Sequence, residues 1–294
     1  MNYFELIKKA GADWLEDKAM RLSAALAYYS VFSLAPLLIV AISIAGLVFG
    51  QEAASGAIEE QLTSSIGKES ASAVEEMIES TKKSGDNVLM TVLGSVVLLT
   101  SASGVFAQLK DAMNTIWEIE PTKGDGFKKL VLGRLLSLGM VLVIGFLLLI
   151  SLVASTAMAA VNTYASGLVP IHPAIWQTVT FLISFIGATV LFALIFKVLP
   201  DAVIEWKDVW VGAAITALLF SIGKFLLGLY LGREGAESTY GAAGALLLVL
   251  TWVYYTSNIV LFGAEFTQVY SRERGHKIMA KDGFKKVDAE AQTV

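Results

Sequence analysis

The chain has 294 residues, of which 55% are hydrophobic and 16% charged, and a formal net charge of −4; its mean hydropathy is +0.66. A soluble domain of this size carries about 25% charged residues, whereas apolar runs of about 20 residues cross a hydrocarbon core of about 30 Å. The composition excludes an ordinary soluble domain and indicates an all-α, polytopic membrane protein, and the lack of cysteine excludes disulfides, thiolate metal centres and cysteine catalysis.

In residues 1–22, Tyr3, Phe4, Ile7, Ala10 and Trp14 fall at helical spacing, with Glu5, Lys8, Lys9, Asp13 and Asp17 elsewhere. That pattern suits an amphipathic helix lying in the membrane interface, and equally one packed on the protein's own inner end. The first apolar run extends from about Leu22 to Phe49. It starts too late and runs too long for a cleaved secretory signal, so it reads as an uncleaved span.

Six spans are expected in a membrane domain covering 23–270, at about 23–49, 88–107, 134–158, 175–198, 209–231 and 243–268. Pro36 sits inside the first and predicts a kink. Residues 50–87 form the longest outer loop. Ile58, Leu62 and Ile66, then Val74 and Ile78, predict two short amphipathic helices there, and many glutamates make it an acidic cap. The second span continues its apolar stripe through Phe106, Leu109, Met113, Ile116 and Trp117, so its inner end should pack under the bundle. The polar stretch 271–294 is expected to be a disordered tail.

Basic residues set the orientation. With the N-terminus inside, only Lys68, Lys82, Lys83, Lys224 and Arg233 of the 22 fall outside the cytoplasmic segments. This bias places both termini in the cytoplasm.

Four stretches then carry a family resemblance: SAALAYYSVFSLAPLLI, SASGVFAQLKDAMNTIW, FKVLPDAVIEWKDVWVGA and STYGAAGALLLVLTWVYYTSNIVLFGAEF. They resemble the YihY/virulence factor BrkB family of bacterial inner-membrane proteins, once labelled ribonuclease BN. The resemblance implies a six-helix, multi-pass protein of the bacterial inner membrane. Its hint toward lipid or lipopolysaccharide export is an implication of the resemblance alone.

Two charges stand out within apolar runs. Lys224 lies fifteen residues past Val209, a rise of about 22 Å, in the outer third of the membrane. An ionisable group there is a functional candidate by default; a snorkelling stem and a structural ion pair are the alternatives. The nearby outer connection supplies Arg233, Glu237 and Tyr240, which with Lys224 form a candidate site for an anionic group such as a lipid phosphate. Glu265 lies near the inner end of the last span, at a different depth, with Arg134 or Lys110 as its expected partner. That pair reads as a salt bridge locking helix ends or as a gate.

Gly228/Gly232 and Gly46/Gly50 form GxxxG spacings suited to close helix contact. Histidine occurs only as His172 and His276, outside any metal-spaced cluster, so no catalytic residue, metal or cofactor is expected. The first reading is a transporter or lipid translocator, with an anionic phospholipid or lipopolysaccharide precursor as cargo. The alternative is a non-transporting scaffold whose partners are envelope proteins. No nucleic acid is expected, and a homo-oligomer stays open.

Overall fold

The computed structural model describes residues 3–66, 97, 100–122, 133, 139, 173–231 and 241–287, together with six positions between 71 and 78. Its helices are α1 (Tyr3–Glu16), α2 (Ala19–Phe49), α3 (Gln51–Ile66), α4 (Gly104–Ile116), α5 (Pro173–Val198), α6 (Trp206–Leu231) and α7 (Gly241–Glu273). Its strands are β1 (Ile119–Pro121), β2 (Ala202–Val203), β3 (Met279–Ala280) and β4 (Phe284–Lys286).

Among the described residues, four helices are long and apolar enough to cross a membrane, over Ala19–Ser43, Thr178–Val198, Trp206–Leu226 and Leu246–Glu273. They correspond to the first, fourth, fifth and sixth expected spans. The expected span at 88–107 lies largely, and that at 134–158 almost wholly, outside the described residues. α2 continues as one helix through Pro36, although proline removes a backbone donor and crowds the preceding turn.

Helices α5, α6 and α7 pack in sequence, and α7 also packs on α2. The α6–α7 crossing rests on small residues. A Cβ on Gly212 would overlap the Thr267 hydroxyl, and one on Gly263 would overlap the Thr216 hydroxyl. Each threonine returns its own hydroxyl to its helix: Thr216 donates to Gly212 O at 2.8 Å and Thr267 to Gly263 O at 2.7 Å. Two Gly-x-x-x-Thr segments thus interlock head to tail, with both threonine hydroxyls hydrogen-bonded. Further along, a Cβ on Gly223 would strike the Tyr255 ring.

The expected Gly46/Gly50 packing pair has a different role. Gly50 has φ 85°, a conformation open to glycine and strained for other residues, and nothing lies near its Cβ position. It is a reversal that turns α3 back along α2. Ile58, Val74 and Ile78 then share one apolar cluster with Ala35, Leu38, Ala41 and Ile42 of α2 and Val249 of α7.

At the opposite end, α4 slides under the bundle. Phe106, Met113, Ile116 and Trp117 are buried in the main core, and Trp117 Nε1 donates to Ala264 O at 3.1 Å. The apolar stripe of α1 divides. Leu6 and Ala10 pack against Phe266, Val269 and Tyr270 of α7, while Tyr3, Phe4 and Ile7 stay exposed. Arg272 Nη2 donates to Asp13 Oδ2 at 2.7 Å, and Lys9 pairs with Glu273, so the N-terminal helix is tied to the end of the last one.

The tail is ordered through Val287, contrary to the expectation for 271–294; residues 288–294 lie outside the described set. It folds back because two strand edges await it. β3 pairs antiparallel with β2, with Ala202 opposite Ala280. β4 pairs antiparallel with β1, with Ile119 opposite Lys286.

Replacing Gly263 or Gly212 with alanine is expected to lower stability by about 1–3 kcal/mol through overpacking, read as a drop in melting temperature in detergent. Adding Thr216→Ala to Gly263→Ala should recover much of the loss; no recovery would mean that the clash is not the cause.

Candidate functional site

Lys224 projects from α6 one residue beyond Gly223, where α6 touches Tyr255 of α7. Its side chain is half-buried. No hydrogen bond or ion pair joins it to another described residue. The neighbouring Phe225 and Leu226 are exposed, as expected for side chains meeting acyl chains. Arg233, Glu237 and Tyr240, the other expected members of this site, lie outside the described residues.

The helix contacts fix the relative level of the two anomalous charges. Gly223 meets Tyr255, whereas Gly212 and Thr216 meet Thr267 and Gly263. Lys224 therefore lies beside the Tyr255 turn of α7, ten residues from Glu265, or about 15 Å along the axis.

Lys110 does not serve as the partner of Glu265. Its Nζ pairs with Asp201 Oδ1 at 2.9 Å, and both side chains are largely buried. Asn114, one turn further along α4, holds Asp201 from two sides: its Nδ2 donates to Asp201 Oδ2 at 2.9 Å, and its Oδ1 accepts from the Asp201 backbone N–H at 2.9 Å. Helix spacing places Lys110 and Asn114 on one face, so a single carboxylate from the α5–α6 connection receives both. Arg134, the other expected partner of Glu265, lies outside the described residues.

The tail completes this network. Lys281 Nζ donates to Pro200 O at 2.7 Å and its backbone N–H to Asp201 O at 2.9 Å. Lys197 donates to Ile204 O. Burial pulls the Lys281 ammonium below the usual lysine range, opposed by the Asp201 carboxylate and aided by Lys110 and Lys197. Nearby, His276 Nδ1 lies 2.8 Å from Asp208 Oδ2. Asp208 is fully buried in the first turn of α6, where the helix dipole favours an anion. Trp206 and Trp210 are exposed at the same end, and Lys197 lies 5.5 Å over the Trp206 ring. Aromatic rings and cations of this kind mark a membrane–water boundary.

Glu265 itself is fully buried, and its Oε1 has no hydrogen-bond donor. With its nitrogen turned inward, the Gln268 amide donates to Ile116 O at 2.9 Å and to Glu265 Oε2 at 3.2 Å. The side chain facing Glu265 is the carboxyl of Asp17, from the α1–α2 corner. Sequence reasoning missed Asp17, Asp201 and Asp208 as members of this end. The one available signal was their position at helix boundaries: Asp17 next to Lys18, Asp201 next to Pro200, and Asp208 in the first turn of α6.

A buried carboxylate at a strand junction and an ammonium in a span with no partner among the described residues do not define a known chemistry, but sequence comparison places the chain. The Virulence factor BrkB family matches residues 11–286. The chain belongs to that family. The match reaches through β4, so it includes the returning tail. Curated relatives carry the name UPF0761 membrane protein. One from Alcanivorax borkumensis is 25% identical over 86% of this chain and 57% of its own length. One from Pseudomonas aeruginosa is 28% identical over 85% of this chain and 59% of its own, and one from Stenotrophomonas maltophilia is 26% identical over 86% and 58%. The chain thus spans less than two thirds of the length of these relatives. No solved structure matches. The protein is a multi-pass bacterial membrane protein of the BrkB/UPF0761 family.

Lys110→Met is expected to cost about 3–5 kcal/mol, because it leaves the Asp201 carboxylate buried without its cation. Limited proteolysis should then cut residues 276–287 faster than in the parent, since Asp201 O also anchors Lys281. Unchanged cleavage together with unchanged melting would show that the pair does not hold this end.

Proposed function

We propose that this chain is a transporter or lipid translocator handling an anionic lipid or amphiphile, and that it carries out no chemical reaction on it. The observation that carries the reading is Lys224: an ammonium half-buried in an apolar span, without an anionic partner among the described residues. An ionisable group in that setting is expensive to keep and usually faces a partner or a path. A lipid phosphate or carboxylate arriving from the bilayer would supply the missing negative charge through a charge-assisted hydrogen bond. Arg233, Glu237 and Tyr240 remain candidates for the same site on sequence grounds.

The proposed arrangement has both termini in the cytoplasm, as the basic residues indicate. The end carrying α1, α4 and the tail would then be the inner one, and Lys224 would lie toward the periplasm. The tight Gly/Thr contact between α6 and α7 would act as a fixed axis about two turns from the lysine. A phospholipid or a lipopolysaccharide precursor fits the required chemistry. The scaffold reading gives Lys224 no anion to bind.

The test compares Lys224→Met and Lys224→Arg with the parent, by headgroup-resolved mass spectrometry of lipids that copurify with each. Anionic lipid bound to Lys224→Met should fall about tenfold or more, the worth of one hydrogen bond to a charged group, while Lys224→Arg retains most of it. An identical lipid profile in all three, with all three folded, overturns the lipid-site reading and leaves the scaffold.

A further inference from the structure

The corner between α1 and α2 is held in an unusual backbone conformation. Lys18 has φ 54° and ψ 40°, the left-handed region that side chains other than glycine enter at a cost. The corner is kept there by packing on both sides: Ala19 joins the main core, and α1 docks on α7 through Leu6 and Ala10. Its effect is to aim Asp17 at Glu265.

The resulting contact is chemically incomplete as two carboxylates. The side chains of Asp17 and Glu265 are within hydrogen-bonding reach of each other. An ionised carboxylate is an acceptor only, so two of them in contact repel unless a hydrogen lies between them. Among the described residues no cation sits at the contact itself. Asp13 and Glu16 of α1 and Glu118 at the α4–β1 turn add negative charge around Asp17. Among the described residues Arg272 of α7 is the cation that acts on Glu265, and its guanidinium is held by Asp13. Gln268 can satisfy Glu265 Oε2 but not Oε1. Glu265 is fully buried, away from bulk solvent that would otherwise make up the deficit.

We propose that Asp17 and Glu265 form a proton-binding site, in which one proton shared between the two carboxyls joins the α1–α2 corner to α7. Glu265, the deeper group, donates and Asp17 accepts. Loss of the proton places two negative charges in contact, and the exposed route for relief is movement of the corner, because Glu265 is fixed in the core. Docking of the N-terminal helix under the bundle therefore responds to proton binding. This site stands independently of Lys224: it would exist in a scaffold as well as in a translocator.

Burial holds the Asp17 carboxyl above its ordinary value of 3.8; the hydrogen bond from Glu265 opposes this, while Glu118, Glu16 and Asp13 reinforce it. A carboxyl raised in the folded state binds more protons than in the unfolded chain. Stability from this site is then full at low pH and declines as pH rises above the ordinary carboxylate range.

Infrared difference spectroscopy of the full chain in lipid nanodiscs tests the site directly. At pH about 7, where ordinary carboxyls are ionised, the parent should show the carbonyl stretch of a protonated carboxylic acid. Glu265→Gln should abolish that band, and Asp17→Asn should shift it by changing the hydrogen-bond partner. The fall in melting temperature with rising pH should flatten in Glu265→Gln. A parent with no acid band at neutral pH overturns the proposal, as does a band that survives unchanged in Glu265→Gln. Carboxylate bands that move with added sodium or calcium instead would assign the contact to a metal cation and equally overturn it.

Discussion

Lipid tails are as apolar as leucine, so helices in a bilayer are not driven together by the hydrophobic effect as they are in water. What can hold α6 against α7 is close packing, and the reciprocal Gly212–Thr267 and Thr216–Gly263 contacts provide it. Both threonine hydroxyls are returned to their own helices, so neither is left unmet at the contact. Everything else is referred to this pair. α5 packs on α6 and reaches Gly263 of α7 through Phe196, α2 lies against α7, and the levels of Lys224 and Glu265 are set by the register of the crossing.

The two ends of the bundle are built on different physics. Around α3 the contacts are apolar, with Ile58, Val74 and Ile78 closing over α2. The end that gathers both chain termini is held by charge and by backbone pairing. Asp201 collects Lys110, Asn114 and the tail; Asp208 collects His276 and, at 3.9 Å, Arg274; Asp13 and Glu273 collect Arg272 and Lys9. The buried Lys110–Asp201 pair does little for net stability, because desolvation offsets attraction, but removing one partner is costly; the exposed Arg272–Asp13 and Lys9–Glu273 pairs contribute little either way. Such a network fixes an arrangement rather than strengthening it. It leaves Lys224, at the far end of α6, as an ammonium with no protein anion among the described residues.

Much of the fold could be read from residue order alone. Four of the six apolar runs coincide with helices of spanning length, because a run of about 20 apolar residues has few other stable environments. The stripe from Phe106 to Trp117 predicted a buried helix end, and Phe106, Met113, Ile116 and Trp117 are buried. Lys224 and Glu265 were visible as charges in apolar surroundings. Their environments were not. The expected Lys110–Glu265 pair failed because Lys110 and Asn114 share a helix face that meets Asp201, and nothing local announces that the α5–α6 connection passes beneath α4. Gly50 was read as a packing glycine, yet its backbone angle, unknowable from spacing, makes it a turn.

The amino-acid sequence by itself determined that this is a multi-spanning helical membrane protein of the BrkB family, since hydropathy and family motifs are local properties of contiguous residues. Tertiary structure decided which charges meet. The order of the tail depends on strand edges at 119–121 and 202–203, and the Asp17–Glu265 contact depends on a left-handed turn at Lys18. A short strand has no partner, and a carboxyl no neighbour, until distant segments have been brought to the same place.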